Sequence, residues 1–153
     1  MDLKDKVVLI TGSSNGIGKA AALRFAKEGT KVIVNYREDA ASAEKVVHEI
    51  GDKAFAIQAD VTDSAQVKKM FTEAVQKFGT IDILINNAGL ATPKPFLKIT
   101  KEDLIKEFDL NFFSMVSCSQ EAAKIMEKGG GKIINVTSVC ALTGCTTVMT
   151  FST

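Results

Sequence analysis

The stretch that decides the fold is LITGSSNGIGKA, residues 9–20. It places Gly12, Gly16 and Gly18 between an apolar run and an alanine-rich helical pattern that covers residues 17–28. Glycine lets the backbone of such a turn approach a ligand closely, and the helix N-terminus behind it favours negative charge. The stretch therefore predicts a strand–turn–helix unit that binds a phosphate group.

Apolar runs recur along the chain and alternate with segments of helical period. Each run is nearly continuous rather than alternating, which is typical of strands that are covered on both faces. The predicted strands are VVLIT (7–11), KVIVNY (31–36), AFAIQ (54–58), DILIN (82–86) and KIINVTS (132–138). The predicted helices span residues 17–28, 41–50, 64–78 and a region from 100 to 128 that breaks near Asn111. Gly79 is the predicted C-cap of the third helix, and Thr100 with Asp103 predicts a capping box at the start of the fourth helical region.

This alternation predicts an α/β fold, since parallel strands need crossover connections and the helical segments supply them. We expect a Rossmann-like doubly wound parallel sheet of five strands, in the order 3-2-1-4-5, within three αβα layers. No linker, repeat or low-complexity segment interrupts the pattern. We therefore expect one dinucleotide-binding domain over residues 1–153.

Composition narrows the class of protein. The chain has 153 residues, 46% apolar and 24% charged, with a net charge of +1. A net charge this close to zero gives no electrostatic reason to expect nucleic-acid binding. No apolar run is long enough to span a membrane. The N-terminus does not resemble a signal peptide, so a cytoplasmic location is expected. The three cysteines are expected to be reduced, buried thiols, with no disulfide framework and no metal site.

The glycine spacing is G-x-x-x-G-x-G in the first β-α turn of a β-α-β pattern, which favours the diphosphate of a dinucleotide as the ligand. The adenosine ribose is then expected at the end of the second strand, where Tyr36 and Arg37 lie. The Arg37 guanidinium suits a 2′-phosphate, which favours NADP and leaves NAD open. The predicted turn contacts are Gly12, Ser14, Asn15, Gly16, Ile17 and Gly18.

Five ordered motifs resemble those of the short-chain dehydrogenase/reductase family, and within it the 3-oxoacyl-[acyl carrier protein] reductase and glucose dehydrogenase branches. They are TGSSNGIG (11–18), DV (60–61), NNAG (86–89), Asn111 and INVTS ending at Ser138. The resemblance covers nearly the whole chain. It implies an NAD(P)-dependent oxidoreductase that interconverts carbonyl and hydroxyl groups of a small molecule, with 3-oxoacyl thioester reduction as a candidate.

The resemblance also assigns cofactor contacts beyond the glycine turn. Asp60, followed by Val61, matches the residue that hydrogen-bonds the adenine amino group. Asn87, Ala88 and Gly89 match the motif that supports the central sheet and lines the cofactor ribose. Together with the turn residues, Tyr36 and Arg37, they complete the predicted cofactor site.

Catalytic roles follow from the same resemblance. Ser138 matches the serine that donates a hydrogen bond to the substrate carbonyl as negative charge develops on its oxygen. Asn111 matches the helix asparagine that holds a water in the family's proton relay. The family's proton donor is a tyrosine with a lysine four residues later. Here Phe151 occupies the tyrosine position without a hydroxyl, and the lysine position falls beyond residue 153.

This departure predicts negligible turnover for the chain by itself. A non-catalytic dinucleotide-binding or subunit-interaction protein is the alternative, and the sequence fits a fragment, a natural truncation or a frameshift product equally. The family's C-terminal strands are missing, so the fifth strand is expected to be an unprotected edge and the chain to self-associate or form a homo-oligomer. Phe108, Phe112 and Phe113 are expected in the core and in subunit contacts.

Overall fold

The computed structural model describes residues 2–145, and Phe151 therefore lies outside the described residues. The strands are β1 Val7–Ile10, β2 Lys31–Tyr36, β3 Ala54–Gln58, β4 Ile83–Asn86 and β5 Lys132–Asn135. The α-helices are α1 Gly16–Lys27, α2 Ala40–Ile50, α3 Ser64–Phe78, α4 Lys101–Phe108, α5 Ser114–Met126 and α6 Cys140–Thr143. A 3₁₀ turn at Phe96–Lys98 precedes α4, and a π-helical turn at Asp109–Phe113 joins α4 to α5.

The strands form one parallel sheet in the order β3-β2-β1-β4-β5, which confirms the predicted topology. β1 lies at the centre, where Ile10 pairs with Val34 of β2 and with Ile85 of β4. Because all the strands run in one direction, their carboxyl ends meet at one edge of the sheet. The loops after β1, β2, β3 and β4 therefore converge there, as expected for a ligand site in this architecture.

Two apolar clusters, one on each face of the sheet, account for the three layers. Leu9 of β1 packs with Phe71 of α3 and Cys118 of α5 in one cluster. Ile10, the next residue, points to the other face and packs with Val46 of α2. Side chains alternate between the faces of a strand, so consecutive apolar residues supply both clusters. Burying each such side chain contributes about 1.5–3 kcal/mol.

Helix ends follow the predicted signals. Gly79 ends α3 in the left-handed conformation with φ 85°. Thr100 and Asp103 form the expected capping box at the start of α4. The Lys94 ammonium also hydrogen-bonds the Asp103 carboxylate, and together with the Thr100 backbone N–H it lowers the pKa of Asp103 to about 2.

The predicted break in the fourth helical region is confirmed, and its form is the π-helical turn Asp109–Phe113. Such turns insert one residue into a helix and re-aim the side chains beside it. Asn111 lies at the centre of this turn. The turn therefore separates α4 from α5 at the residue that the sequence singled out for catalysis.

Strand β5 departs from the expectation that every strand is covered on both faces. All four of its residues are exposed, including Ile133 and Ile134 at 39% and 45%. The strand is also shorter than predicted and ends at Asn135. It pairs with β4 alone, and this position at the sheet edge matches the expectation of an unprotected fifth strand.

The cysteine prediction is wrong for two of the three residues. Cys140 and Cys145 form a disulfide with their Cα atoms 5.2 Å apart. Cys140 is the first residue of the short helix α6 and Cys145 lies two residues after its end, and this turn of the chain brings them to the usual Cα separation of a disulfide. Sequence spacing alone does not show this turn. Cys118 is a buried thiol as predicted, and burial raises its pKa to about 12.

No helix in residues 2–145 has the length and apolar character needed to cross a bilayer. Within the same residues, no group of three or more His, Cys, Asp or Glu side chains is arranged to hold a metal ion.

Candidate dinucleotide and carbonyl site

The glycine turn between β1 and α1 is built so that side chains do not fit. Gly12 has φ 60°, and a Cβ there would lie 3.0 Å from the Cα of Ala88. A Cβ at Gly18 would lie 2.6 Å from both the Gly12 carbonyl oxygen and the Asn87 Nδ2 atom. Glycine at these two positions therefore lets α1 and the segment after β4 pack directly against the turn.

The backbone amides of the turn fall into two groups, according to whether they have an acceptor among the described residues. The N–H groups of Gly12 and Ser13 donate to the Oδ1 atom and the backbone oxygen of Asn35, at 3.0 and 2.9 Å. The first helical hydrogen bond runs from the Lys19 N–H to the Asn15 oxygen, so the amides from Asn15 to Gly18 have no intrahelical acceptor. These later amides form a ready-made anion site. Only part of the glycine turn is thus available to a diphosphate.

Thr11 ties the turn to the segment after β4. Its buried hydroxyl accepts hydrogen bonds from the N–H groups of Asn87 and Ala88, at 2.9 and 3.0 Å. The Asn87 Nδ2 atom in turn donates hydrogen bonds to the carbonyl oxygens of Thr11 and Gly12, at 2.9 and 3.1 Å. The two segments therefore form one rigid wall of the cleft.

That cleft, of about 470 Å³, lies at the carboxyl edge of the sheet. Every predicted cofactor residue except Gly18 lines it, and Gly18 packs behind the turn. The lining residues among those predicted are Gly12, Ser14, Asn15, Gly16, Ile17, Tyr36, Arg37, Asp60, Val61, Asn87, Ala88 and Gly89. The sequence thus selected residues that the fold brings together.

At the end of the cleft formed by the loops after β2 and β3, two charged groups have partners on the protein. The Arg37 Nε atom lies 3.0 Å from the Glu38 carboxylate, and both side chains are largely exposed. The Asp60 Oδ1 atom accepts from the N–H and the hydroxyl of Thr62, at 2.9 and 2.7 Å. The Asp60 carboxylate is therefore held in a turn beside the cleft, whereas the Arg37 guanidinium lies in an exposed ion pair.

A second cleft of about 410 Å³ contains both predicted catalytic residues, Ser138 and Asn111. It shares Ile17 and residues 87–89 with the first cleft, so the two form one continuous groove. Phe108 and Phe112 line this second cleft, so their predicted place in the core is wrong. Phe112 lies within the π-helical turn and Phe108 directly precedes it.

Asn111 and Ser138 differ in how they are held. The Asn111 side chain makes two hydrogen bonds to the backbone of Leu90, each 2.9 Å long. The Ser138 hydroxyl oxygen accepts from the N–H of Cys140 at 3.2 Å. Because a hydroxyl has one proton and two lone pairs, accepting this bond leaves its proton available for a carbonyl oxygen.

Sequence reasoning missed two residues of the site, Thr11 and Asn35. Both are 2% exposed and both bond the glycine turn or its neighbour. The sequence does contain a sign of both, since each is a polar residue near the end of an otherwise apolar run. A buried polar side chain there needs partners, and the neighbouring turn is the nearest source of them.

Comparison with known proteins gives a consistent result. Residues 6–153 match the family model of the short chain dehydrogenases. A 3-oxoacyl-[acyl-carrier-protein] reductase from Synechocystis sp. is 40% identical over 146 residues, covering 93% of this chain and 59% of that protein. A hydroxynaphthalene reductase-like protein from Metarhizium acridum is 43% identical over 142 residues, covering 91% of this chain and 53% of that protein.

Solved structures agree. The crystal structure of a 3-ketoacyl-(acyl-carrier-protein) reductase from Brucella melitensis, complexed with NADH, superposes with a TM-score of 0.91 at 34% identity. The match covers 97% of this chain and 64% of that one, so the chain spans less than two thirds of these relatives. With the family model matched over residues 6–153, the chain belongs to the short chain dehydrogenase family.

Proposed function

We propose that this protein is an NAD(P)-dependent oxidoreductase that interconverts a carbonyl and a hydroxyl group. The observation that carries the proposal is the continuous groove. It joins the glycine turn to Ser138 and Asn111 through the shared lining of Ile17 and residues 87–89. A ligand that fills both parts would have its phosphates near the start of α1 and its other end beside Ser138.

The residues of the chain have separate tasks in this proposal. A bound nicotinamide cofactor supplies or accepts the hydride. Ser138 donates its hydroxyl proton in a hydrogen bond to the substrate oxygen, which stabilises the negative charge that develops there. Asn111 fixes the Leu90 backbone at the rim of the groove and, by family resemblance, supports the proton relay.

Phe151 limits what this chain does by itself. Its ring has no hydroxyl and cannot transfer a proton to the substrate oxygen. Loss of a general acid typically lowers a rate by about 10²- to 10⁴-fold. We therefore propose that the 153-residue chain binds the cofactor and turns over slowly. The second candidate function, a non-catalytic dinucleotide-binding or subunit-interaction protein, rests on the same residue.

For the cofactor, we favour NADP over NAD. Arg37 is the one Lys or Arg among the described residues that line the cleft at the glycine turn. Its ion pair with Glu38 is exposed and costs little to break. The Brucella melitensis relative was solved with NADH, so both forms of the cofactor need testing. The Kd values of NADPH and NADH for wild type and Arg37→Leu decide between them.

For the substrate, we favour a 3-oxoacyl thioester. Two similar proteins are named as reductases of acyl-carrier-protein-bound 3-oxoacyl or 3-ketoacyl groups. The cleft beside Ser138 is lined by Phe108, Phe112, Met115 and Val136, apolar side chains that suit an acyl chain.

Two measurements test this function. NADPH fluorescence is titrated with the chain, and NADPH oxidation is then followed with acetoacetyl-coenzyme A. We expect saturable binding by wild type, slow oxidation, and faster oxidation by Phe151→Tyr. Ser138→Ala should remove the remaining activity without changing NADPH binding. Binding without oxidation in any variant would favour the non-catalytic alternative, and no binding at all would overturn both.

Self-association and a cytoplasmic location complete the proposal. Phe113 and Val116 are 55% and 37% exposed on the helical side, and β5 exposes Ile133 and Ile134 at the sheet edge. Exposed apolar patches and unpaired edges favour association with a second copy. Sedimentation velocity should show a dimer or larger species, and a monodisperse monomer would count against self-association.

The cytoplasmic location has its own test. In a reducing cytoplasm the Cys140–Cys145 disulfide would be open, which thiol counting in cell extract can check.

A further inference from the structure

Asn35 is a buried amide inside an apolar strand. It follows Val32, Ile33 and Val34 in β2 and is 2% exposed. Burying an amide is unfavourable unless its donors and acceptors are paired. The partners of Asn35 therefore explain why β2 has an amide near its carboxyl end rather than another valine.

Those partners belong to two different segments of the cleft wall. The Oδ1 atom accepts from the Gly12 N–H at 3.0 Å, and the backbone oxygen accepts from the Ser13 N–H at 2.9 Å. The Nδ2 atom donates to the carbonyl oxygen of Ala59 at 3.1 Å, with a longer contact of 3.4 Å to that of Ile57. One residue thus joins the glycine turn after β1 to the end of β3.

Each of these segments leads to one half of the predicted ligand site. The glycine turn leads to the start of α1, where Asn15, Gly16 and Ile17 line the cleft. Ala59 directly precedes Asp60 at the adenosine end. A dinucleotide has to contact both halves at once, so their relative position matters to it.

We propose that Asn35 is a positioning residue of the dinucleotide site, which holds the diphosphate half and the adenosine half at the spacing that one cofactor bridges. This inference rests on the proposed function, since it assumes that a dinucleotide is the ligand. Only an amide offers an acceptor to Gly12 and a donor to Ala59 from one short side chain. Leucine offers neither, and a serine hydroxyl is too short to reach both.

The test compares two ligands with the full chain. NADPH bridges the two halves, whereas adenosine 2′,5′-bisphosphate has the adenosine end and no diphosphate bridge. Partial unfolding lowers the competent fraction and multiplies both Kd values by the same factor. A substitution that only destabilises the fold therefore leaves the ratio of the two Kd values unchanged. We expect Asn35→Leu to raise the Kd ratio, NADPH over bisphosphate, by about tenfold, because two buried hydrogen-bond sets are lost.

Asn35→Ser is the second variant, to be used if Asn35→Leu does not fold, and it should also raise the Kd ratio. The control is Thr30→Val, directly before β2, because the buried Thr30 hydroxyl has no partner among the described residues. It should leave the ratio unchanged. A ratio within about threefold of wild type in the folded Asn35 variants overturns this inference, and the proposed function then stands. A wild-type chain that binds neither ligand overturns both.

Discussion

The side-chain amide of Asn111 and the backbone of Leu90 are joined by two hydrogen bonds, from the Leu90 N–H to Oδ1 and from Nδ2 to the Leu90 oxygen, both 2.9 Å. This pair fixes the π-helical turn to the loop that follows β4. Gly89 precedes that contact, and a Cβ there would lie 3.1 Å from the Asn111 Oδ1 atom. The rim of the groove beside Ser138 is therefore set by side-chain-to-backbone bonds between distant parts of the chain.

Asn111→Asp should destabilise the fold at neutral pH. The carboxylate keeps the acceptor for the Leu90 N–H, but it places a negative oxygen against the Leu90 carbonyl in place of a donor. Because this contact is exposed to solvent, losing the bond that Nδ2 donates should cost about 0.5–1.5 kcal/mol, which urea unfolding measures. Asp109→Asn in the same turn is the matched control and should change the free energy of unfolding little. Equal effects of the two substitutions would show that the Leu90 contact does not stabilise the turn.

Gly18→Ala should weaken both folding and NADPH binding. The added Cβ would approach the Gly12 oxygen to 2.6 Å, so α1 has to move away from the turn. Overpacking of this kind typically costs about 1–3 kcal/mol. Thermal unfolding and NADPH titration are the two measurements. Gly129→Ala, where a Cβ meets nothing within 4 Å, is the control and should match wild type in both. A Gly18 variant that binds NADPH normally would contradict the close packing.

The sequence predicted most of the fold because its signals are local. Continuous apolar runs identified the five strands, and Gly79 and the Thr100–Asp103 pair marked helix ends that the structure confirms. The predicted cofactor residues line one cleft because β-α turns at the carboxyl edge of a parallel sheet converge. The glycine spacing identified the first of those turns.

The remaining features depend on contacts between distant residues, which a sequence does not display. The Cys140–Cys145 disulfide requires the reversal at α6, and Phe108 lines the groove at the junction of α4 with the π-helical turn. Likewise, Asn35 appears in the sequence as one polar residue in a strand. Its role follows from partners in two other segments.

Cysteine reactivity should distinguish the three sulfur atoms. Burial, with a smaller contribution from Glu121, raises the pKa of Cys118 to about 12, so its reactive thiolate is nearly absent at pH 8. Cys140 and Cys145 are joined as a disulfide. Without reductant, we expect iodoacetamide to modify no cysteine of the folded chain and one cysteine in denaturant, as read by intact mass. Modification of Cys118 in the folded chain would contradict its burial.

The ion pair between Lys94 and Asp103 should make stability depend on pH at the acid end. The Lys94 hydrogen bond is the main cause that lowers the pKa of Asp103 from 3.8 to about 2. A lowered carboxyl pKa adds stability above the unfolded value, and this contribution disappears as pH falls through the folded value. The Tm difference between wild type and Asp103→Asn should be constant from about pH 8 to 5 and should shrink between about pH 4 and 2.

Glu102→Gln serves as the control for this pair, because Glu102 is the neighbouring acid at the same end of α4. Its Tm difference from wild type should not follow the same acid profile. If the Asp103→Asn difference persisted unchanged down to about pH 2, the Lys94 contact would not explain it.

The central claim is that the amides at the start of α1 bind the diphosphate of a dinucleotide, and amide hydrogen exchange with and without NADPH tests it most directly. We predict that saturating NADPH slows exchange at Gly16, Ile17 and Gly18, whereas the amides of Gly12 and Ser13, already bonded to Asn35, change little. NADPH that binds and leaves the exchange of the α1 amides unchanged would contradict the claim.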